Sequence, residues 1–177
     1  MCVIGKSGSG KTTLVEILEK FGHSALPSFT TRPPREPNEK GRTFVSEEEF
    51  NKIRDELVAY TFFDGYEHGA TMEQINNHDI YIVDVDGYFN LIESIGRDRM
   101  VVVHIITRDD FRFDRMKETR GEKEAARRME NDKVKFENLD EVEFDYELIN
   151  DNKFDLIRNV SKLDYILTLM KDRPDWM

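Results

Sequence analysis

Residues Gly5–Thr12 read Gly-Lys-Ser-Gly-Ser-Gly-Lys-Thr, a complete G-x-x-x-x-G-K-[ST] phosphate-binding loop. The motif constrains the fold because it works only where a strand delivers the chain and a helix carries it away. The apolar run Met1–Ile4 is the expected strand and Thr13–Lys20 the expected helix. Gly5, Gly8 and Gly10 let successive backbone N–H groups turn inward around a phosphate, at the positive end of that helix. Ser7, Ser9 and Thr13 complete the expected lining. Lys11 can reach the outer phosphates, and the Thr12 hydroxyl can ligate a magnesium ion. The alternative is a glycine-rich turn that matches by chance, which the strand–loop–helix context disfavours. A nucleoside triphosphate site is expected.

The 177 residues suit a single domain with its own core. A formal net charge of −10 disfavours nucleic acid polymers and anionic membranes as partners. An acidic chain can hold an anionic nucleotide if its arginines are concentrated at one site. The single cysteine, Cys2, excludes an internal disulfide framework and a cysteine metal cluster. No apolar stretch precedes it and none approaches the ~20 residues that span a bilayer. A cytoplasmic protein is expected. The strand ahead of the loop is short, so residues missing from the start are also expected.

Beyond the first helix the pattern alternates. Prolines 27, 33, 34 and 37 rule out regular helix there. Ser46-x-x-Glu49 has capping-box spacing, with Phe50, Ile53 and Leu57 at helical intervals. Val58–Phe63 reads as a strand, Asp64-Gly65 as a tight turn and Thr71-x-x-Gln74 as a second helix start. Ile80–Val85 and Met100–Ile106 read as buried parallel strands, and Phe144–Ile149 as a strand ending at Asn150. Helices are expected over Tyr88–Ile95, Asp109–Thr119, Glu122–Asn138 and Lys153–Lys171. Strand–helix units behind a phosphate loop imply an α/β fold: a P-loop NTPase core with a parallel sheet flanked by helices. The expected core is 1–27 and 79–177, interrupted by an acceptor-binding insertion at about 28–78, with a helical lid at about 115–135.

The second informative segment is Thr30-Thr31-Arg32-Pro33-Pro34-Arg35. Its two arginines, braced by prolines, suit bidentate capture of a phosphate. A phosphate loop followed by this segment, then by Phe44-Val45-Ser46, acidic residues and Phe50, resembles the guanylate kinase family. The resemblance continues through Gly65–Thr71, Asp84-Val85-Asp86, Arg115, Arg120-Gly121, Arg128-Met129 and Asn150-Asp151, so it covers most of the chain. It implies ATP-dependent phosphoryl transfer to a nucleoside monophosphate. ATP would lie on the loop, with Lys11 on its phosphates, Thr12 on magnesium and Asp84 orienting the metal's water shell. Arg32 and Arg35 would grip the acceptor phosphate, and Ser28 would touch its base. Arg115, Arg120 and Arg128 would close over the transferring group as catalytic cations, and Asn150 would lie near the adenine. Phosphoryl transfer independently needs cations spread around two anionic reactants.

Departures from the family pattern cluster at the base. The family's guanine-binding glutamate aligns with Ala59, its serine or threonine on the guanine carbonyl with Ala70, and a phosphate-binding tyrosine with His68. A further tyrosine is absent because Gly41-Arg42-Thr43-Phe44 is two residues shorter than the family spacing. Asp86 and Ser28 keep their base-contact positions, and Thr61 shares a strand face with Ala59. Loss of both partners is expected to erode guanine selectivity, since a site rejects analogues only through bonds it can make. The acceptor is therefore expected to be GMP, dGMP or another monophosphate. A sugar-phosphate kinase of the ribose 1,5-bisphosphate type and a non-catalytic binding module are the alternatives. The intact Thr-Thr-Arg-Pro-Pro-Arg segment and Lys11 count against each in turn.

Overall fold

A computed structural model describes residues 1–34 and 37–171. In chain order these form β1 (Cys2–Ile4), α1 (Lys11–Lys20), β2 (Ser28–Thr30), β3 (Arg42–Phe44), α2 (Glu47–Ile53), β4 (Leu57–Phe63), β5 (Tyr66–Thr71) and α3 (Met72–Asn77). The chain continues through β6 (Tyr81–Ile82), α4 (Val85–Ile95), β7 (Val102–Ile106), α5 (Asp109–Arg120), α6 (Glu122–Lys135), β8 (Tyr146–Ile149) and α7 (Lys153–Lys171).

β1 sits inside a parallel four-stranded sheet of order β6-β1-β7-β8. A parallel sheet has no wet face, so its strands read as continuous apolar runs, as Cys2–Ile4 and Val102–Ile106 largely do. Cys2, Ile4 and Val102 join Val85, Tyr88 and Leu91 of α4 in one apolar cluster. Val3, Val103 and Ile105 meet Leu14 and Leu18 of α1 and Val160, Leu163 and Leu167 of α7 in another. Period-two alternation along each strand thus feeds two separate core layers. The parallel sheet flanked by helices agrees with the expected fold class.

The strand expected over Ile80–Val85 is shorter than its apolar run. Regular pairing covers only Tyr81–Ile82, with Ile80 bridged to Ala25. The Asp84 side chain accepts from the Gly87 N–H at 2.9 Å and caps α4, so Val85 opens the helix. The cap overrides the β-branched composition. The helix expected to reach Asn138 ends at Lys135. Both expected capping boxes form, Ser46 with Glu49 and Thr71 with Gln74.

A second four-stranded sheet has the order β3-β2-β5-β4. β4 and β5 make a hairpin around Asp64-Gly65, whose φ values of 57° and 83° give the paired left-handed residues of a type I′ turn. The register sets Arg42 opposite Ser28, Thr30 opposite both Phe44 and His68, Thr61 opposite His68, and Ala59 opposite Ala70. Asn90 and Ser94 of α4 donate to the Tyr60 and Val58 carbonyls at 2.7 and 3.0 Å, covering the outer edge of β4.

Candidate active site

The phosphate loop leaves β1 at the centre of the parallel sheet and enters α1 through Gly10, at φ 90°. A Cβ on Gly10 would lie 2.4 Å from Asn150 Nδ2, and one on Gly8 would lie 2.7 Å from the Arg112 carbonyl. Both positions therefore require glycine for conformation and for room. No side chain caps the start of α1 and no acidic residue occupies its first turn, which keeps its N–H groups available to an anion. Asn150, 3% exposed, donates to the Ser9 carbonyl at 2.8 Å. The Thr107 hydroxyl shares its one proton between the carbonyls of Asn150 and Ser9, at 2.9 and 3.2 Å. The end of β8 is thereby fastened to the loop. Thr12 and Thr13 lie exposed on the first turn of α1.

Lys11 folds over the loop, donating to the carbonyls of Gly5 and Lys6 and, at 3.4 Å, to Ser9 Oγ. Burial pushes its ammonium down to about 8, against the opposing pull of Asp132, with Arg112, Arg42 and Arg128 adding positive charge nearby.

The second sheet carries most of the residues the sequence places on the acceptor side. Arg32 pairs with Glu39 at 2.6 Å and lies over the Phe44 ring, 5.5 Å from its centroid. Arg35 lies outside the described residues. Ser28 is buried and its hydroxyl accepts from Arg42 Nη1. Thr61 donates to Asp84 Oδ2 at 2.9 Å, linking the second sheet to the cap of α4. His68 is half-buried between Thr30 and Thr61. Ala59 and Ala70 are 1% and 0% exposed, within the apolar cluster that includes Tyr81 and Tyr88. Asp86 is exposed and pairs with Lys135 of α6 at 2.7 Å, so its carboxylate is engaged by the helix rather than by the sheet.

Arg115, Arg120 and Arg128, the arginines expected in the lid, have separate environments. Arg115 donates to the carbonyls of Gly8 at 3.3 Å, Asn150 at 2.8 Å and Asp151 at 2.9 Å, bracing the loop. Arg128, 9% exposed, donates to Glu124 at 2.8 Å. The Arg120 side chain makes no hydrogen bond among the described residues. Partial burial and neighbouring Arg128 lower its affinity for its proton, and Glu39 and Arg32 lie within electrostatic reach.

Sequence reasoning passes over several residues here. Buried Asp132 and Arg112 form an ion pair beneath the loop, and Arg127 holds Asp64 at the hairpin turn. Arg42 stands beside Ser28. Arg42 and the Asp132–Arg112 pair depend on strand register or helix packing, which one-dimensional spacing does not encode. The hairpin turn itself is legible, but its partner is not.

No helix among the described residues is long and apolar enough to cross a membrane, and no cluster of three or more His, Cys, Asp or Glu residues among them could hold a metal. The family model for guanylate kinase matches residues 1–168. A guanylate kinase of Chlamydia pneumoniae is 33% identical over 162 residues, covering 82% of this chain and 77% of the relative. One from Thermotoga maritima is 29% identical over 170 residues, covering 89% and 82%. The crystal structure of guanylate kinase from Anaplasma phagocytophilum shares the fold, with a TM-score of 0.66 at 19% identity over 98% of this chain and 87% of that one. A match along nearly the whole chain, with the phosphate loop and the second sheet both in place, makes this protein a member of the guanylate kinase family.

Proposed function

We propose that the chain transfers the γ-phosphoryl group of ATP to GMP, releasing ADP and GDP. The observation that supports this reading is Lys11 folded over the phosphate loop, with Arg128 of α6 close enough to act on its charge and Arg32 just beyond β2 of the second sheet. Two anionic reactants brought in line need cations on both sides, and positioning them accounts for most of the catalysis such enzymes provide.

In this reading ATP lies along Gly5, Ser7, Gly8, Ser9 and Gly10 and the first turn of α1 through Lys11, Thr12 and Thr13. Lys11 exchanges its loop carbonyls for the outer phosphates. Asn150 and Arg115 hold the loop and the adenine end. Arg32 and Arg35 take the acceptor phosphate, helped by His68, and Ser28 faces the base. Arg120 and Arg128 stabilise the transferring oxygens once the lid, 115–135, and the insertion, 28–78, close on the core of 1–27 and 79–177. Closure excludes water, so the phosphoryl group passes to the acceptor and not to hydroxide.

Thr12 and Asp84 fit a magnesium ion arriving with ATP. Magnesium takes few protein ligands and keeps several waters beside substrate phosphates, so an exposed hydroxyl and a carboxylate acting through water suffice without an acidic cage. Asp84 Oδ1 and Oδ2 each accept one hydrogen bond, from Gly87 and Thr61, and retain further lone pairs. When bound, the ion would offset charge on the phosphate oxygens. The buried free thiol of Cys2 suits a reducing cytoplasm.

The test is ADP production from ATP with magnesium, supplying GMP, dGMP, AMP, CMP, UMP and dTMP one at a time. Preference for GMP or dGMP is expected. Equal rates with and without every acceptor would contradict the reading.

A further inference from the structure

The register of the second sheet sorts the residues on one of its faces into rows. Directly opposed residues share a face, so Arg42, Ser28, Ala70 and Ala59 form one row, and Phe44, Thr30, His68 and Thr61 the next. Arg32, which stacks over Phe44, lies beyond the second row, four residues and roughly 13 Å of extended chain from Ser28. If Arg32 holds the phosphate, the base falls on the row of Ser28.

That row has an unusual polarity. Ala59 and Ala70 contribute only buried methyl groups. The Ser28 hydroxyl is already engaged by Arg42. Among the described residues this is the one hydrogen bond the Arg42 side chain makes, so the rest of its donor fork is uncommitted. Its nearest charged surroundings mix both signs: Arg32 opposes it, while Glu39 and Asp84 lie within electrostatic reach without bonding to it. A desolvated guanidinium without a bonded carboxylate is costly unless a ligand supplies acceptors. A guanidinium is donor-only, and its fork matches the paired O6 and N7 acceptors of guanine.

We infer that Arg42 is the specificity-determining residue of the acceptor site, reading a purine monophosphate through its O6/N7 edge while the methyl groups of Ala59 and Ala70 leave the 2-amino edge unread. This rests on the reading that a purine monophosphate is the acceptor. AMP is excluded because its exocyclic amino group would point N–H donors at the guanidinium. IMP, which keeps O6 and N7 but lacks the 2-amino group, is accepted.

The experiment compares kcat/KM of the wild-type chain for GMP, IMP, 7-deaza-GMP and AMP, then repeats the series with Arg42→Gln and Arg42→Lys, each checked for folding by thermal melt. IMP is expected within roughly 10-fold of GMP, and 7-deaza-GMP roughly 10-fold or more below it, the loss expected for one unmet buried donor. Arg42→Gln should raise the AMP-to-GMP ratio by roughly 100-fold, because a glutamine amide pairs with the adenine N6/N7 edge. Arg42→Lys should keep the charge but lose the discrimination against 7-deaza-GMP. A wild-type preference for GMP over IMP above roughly 100-fold, with 7-deaza-GMP tolerated, overturns the inference alone. So does an Arg42 variant that loses activity equally on every acceptor, which would place Arg42 on the phosphate or in the scaffold. Absence of turnover with every purine monophosphate overturns the functional reading, and this inference with it.

Discussion

The carboxylate of Asp132 accepts two hydrogen bonds from Ser7 of the phosphate loop, from its backbone N–H at 2.8 Å and its hydroxyl at 2.9 Å. Arg112 donates to the same carboxylate, and its Nε reaches the Ser7 carbonyl at 2.8 Å. Asp132 stands on α6 and Arg112 on α5, so both helices are fastened to the loop through one buried ion pair.

Removing Asp132 takes away the buried partner of Arg112 and leaves it only the exposed carboxylate of Asp109, at 2.5 Å. Arg112 and Asp132 are 2% and 3% exposed, and breaking a buried pair by removing one partner typically costs about 3–5 kcal/mol, a ceiling here because Asp109 still neutralises part of the Arg112 charge. Asp132→Ala should destabilise the chain by about 2–4 kcal/mol in urea unfolding. The double replacement Arg112→Met with Asp132→Leu should cost far less, because neither charge remains. A loss below about 1 kcal/mol for Asp132→Ala would contradict the account of this pair.

Lys11 gives the enzyme an alkaline limb. Burial holds its ammonium down to about 8, so below that pH the free enzyme presents a cation to ATP and above it presents a neutral amine. The kcat/KM for ATP should fall roughly tenfold per pH unit above that midpoint. ATP binding near the midpoint should take up a proton, visible as a dependence of binding heat on buffer ionisation enthalpy. Between about 8 and 10.5 the unfolded chain binds more protons than the folded one, so stability without ligand should rise with pH in that window. A kcat/KM profile flat to pH 10 would contradict this role for Lys11.

Arg32 separates the two substrates. Arg32→Ala should raise KM for GMP by roughly 10-fold or more, as expected for losing a charge-assisted bond. The KM for ATP should change little. Arg35→Ala is expected to behave alike. Equal effects on both substrates in steady-state kinetics would remove Arg32 from the acceptor phosphate.

Thr61 tests the link between the sheets. Its hydroxyl donates to Asp84, so Thr61→Val preserves shape while removing one hydrogen bond to a carboxylate. A stability loss of about 1–3 kcal/mol is expected, with Thr61→Ser close to wild type. If Thr61→Val leaves stability unchanged but shifts selectivity among monophosphates, Thr61 contacts the base instead.

The phosphate loop and the Thr-Thr-Arg-Pro-Pro-Arg segment are legible in the sequence because contiguous residues carry their mechanism. Helix ends at Ser46 and Thr71 are legible for the same reason: a cap acts over three residues. The end of β6 is not, because the Asp84 cap competes with an apolar run that spacing alone reads as strand. Arg42 becomes visible only when β3 is laid beside β2, and Asp132 only when α6 is packed on the loop. Asp86 keeps its place in the pattern while its side chain turns to Lys135. Local chemistry survives in one dimension, whereas partners set by register and packing do not.

The central claim is transfer to GMP, and the most direct measurement follows the label from γ-³²P-ATP with magnesium and GMP, comparing the wild-type chain with Lys11→Ala. The account predicts that the label appears in GDP with the wild-type chain and that Lys11→Ala, folded by circular dichroism, transfers almost none. Label released only as inorganic phosphate, or transfer undiminished in Lys11→Ala, would contradict it.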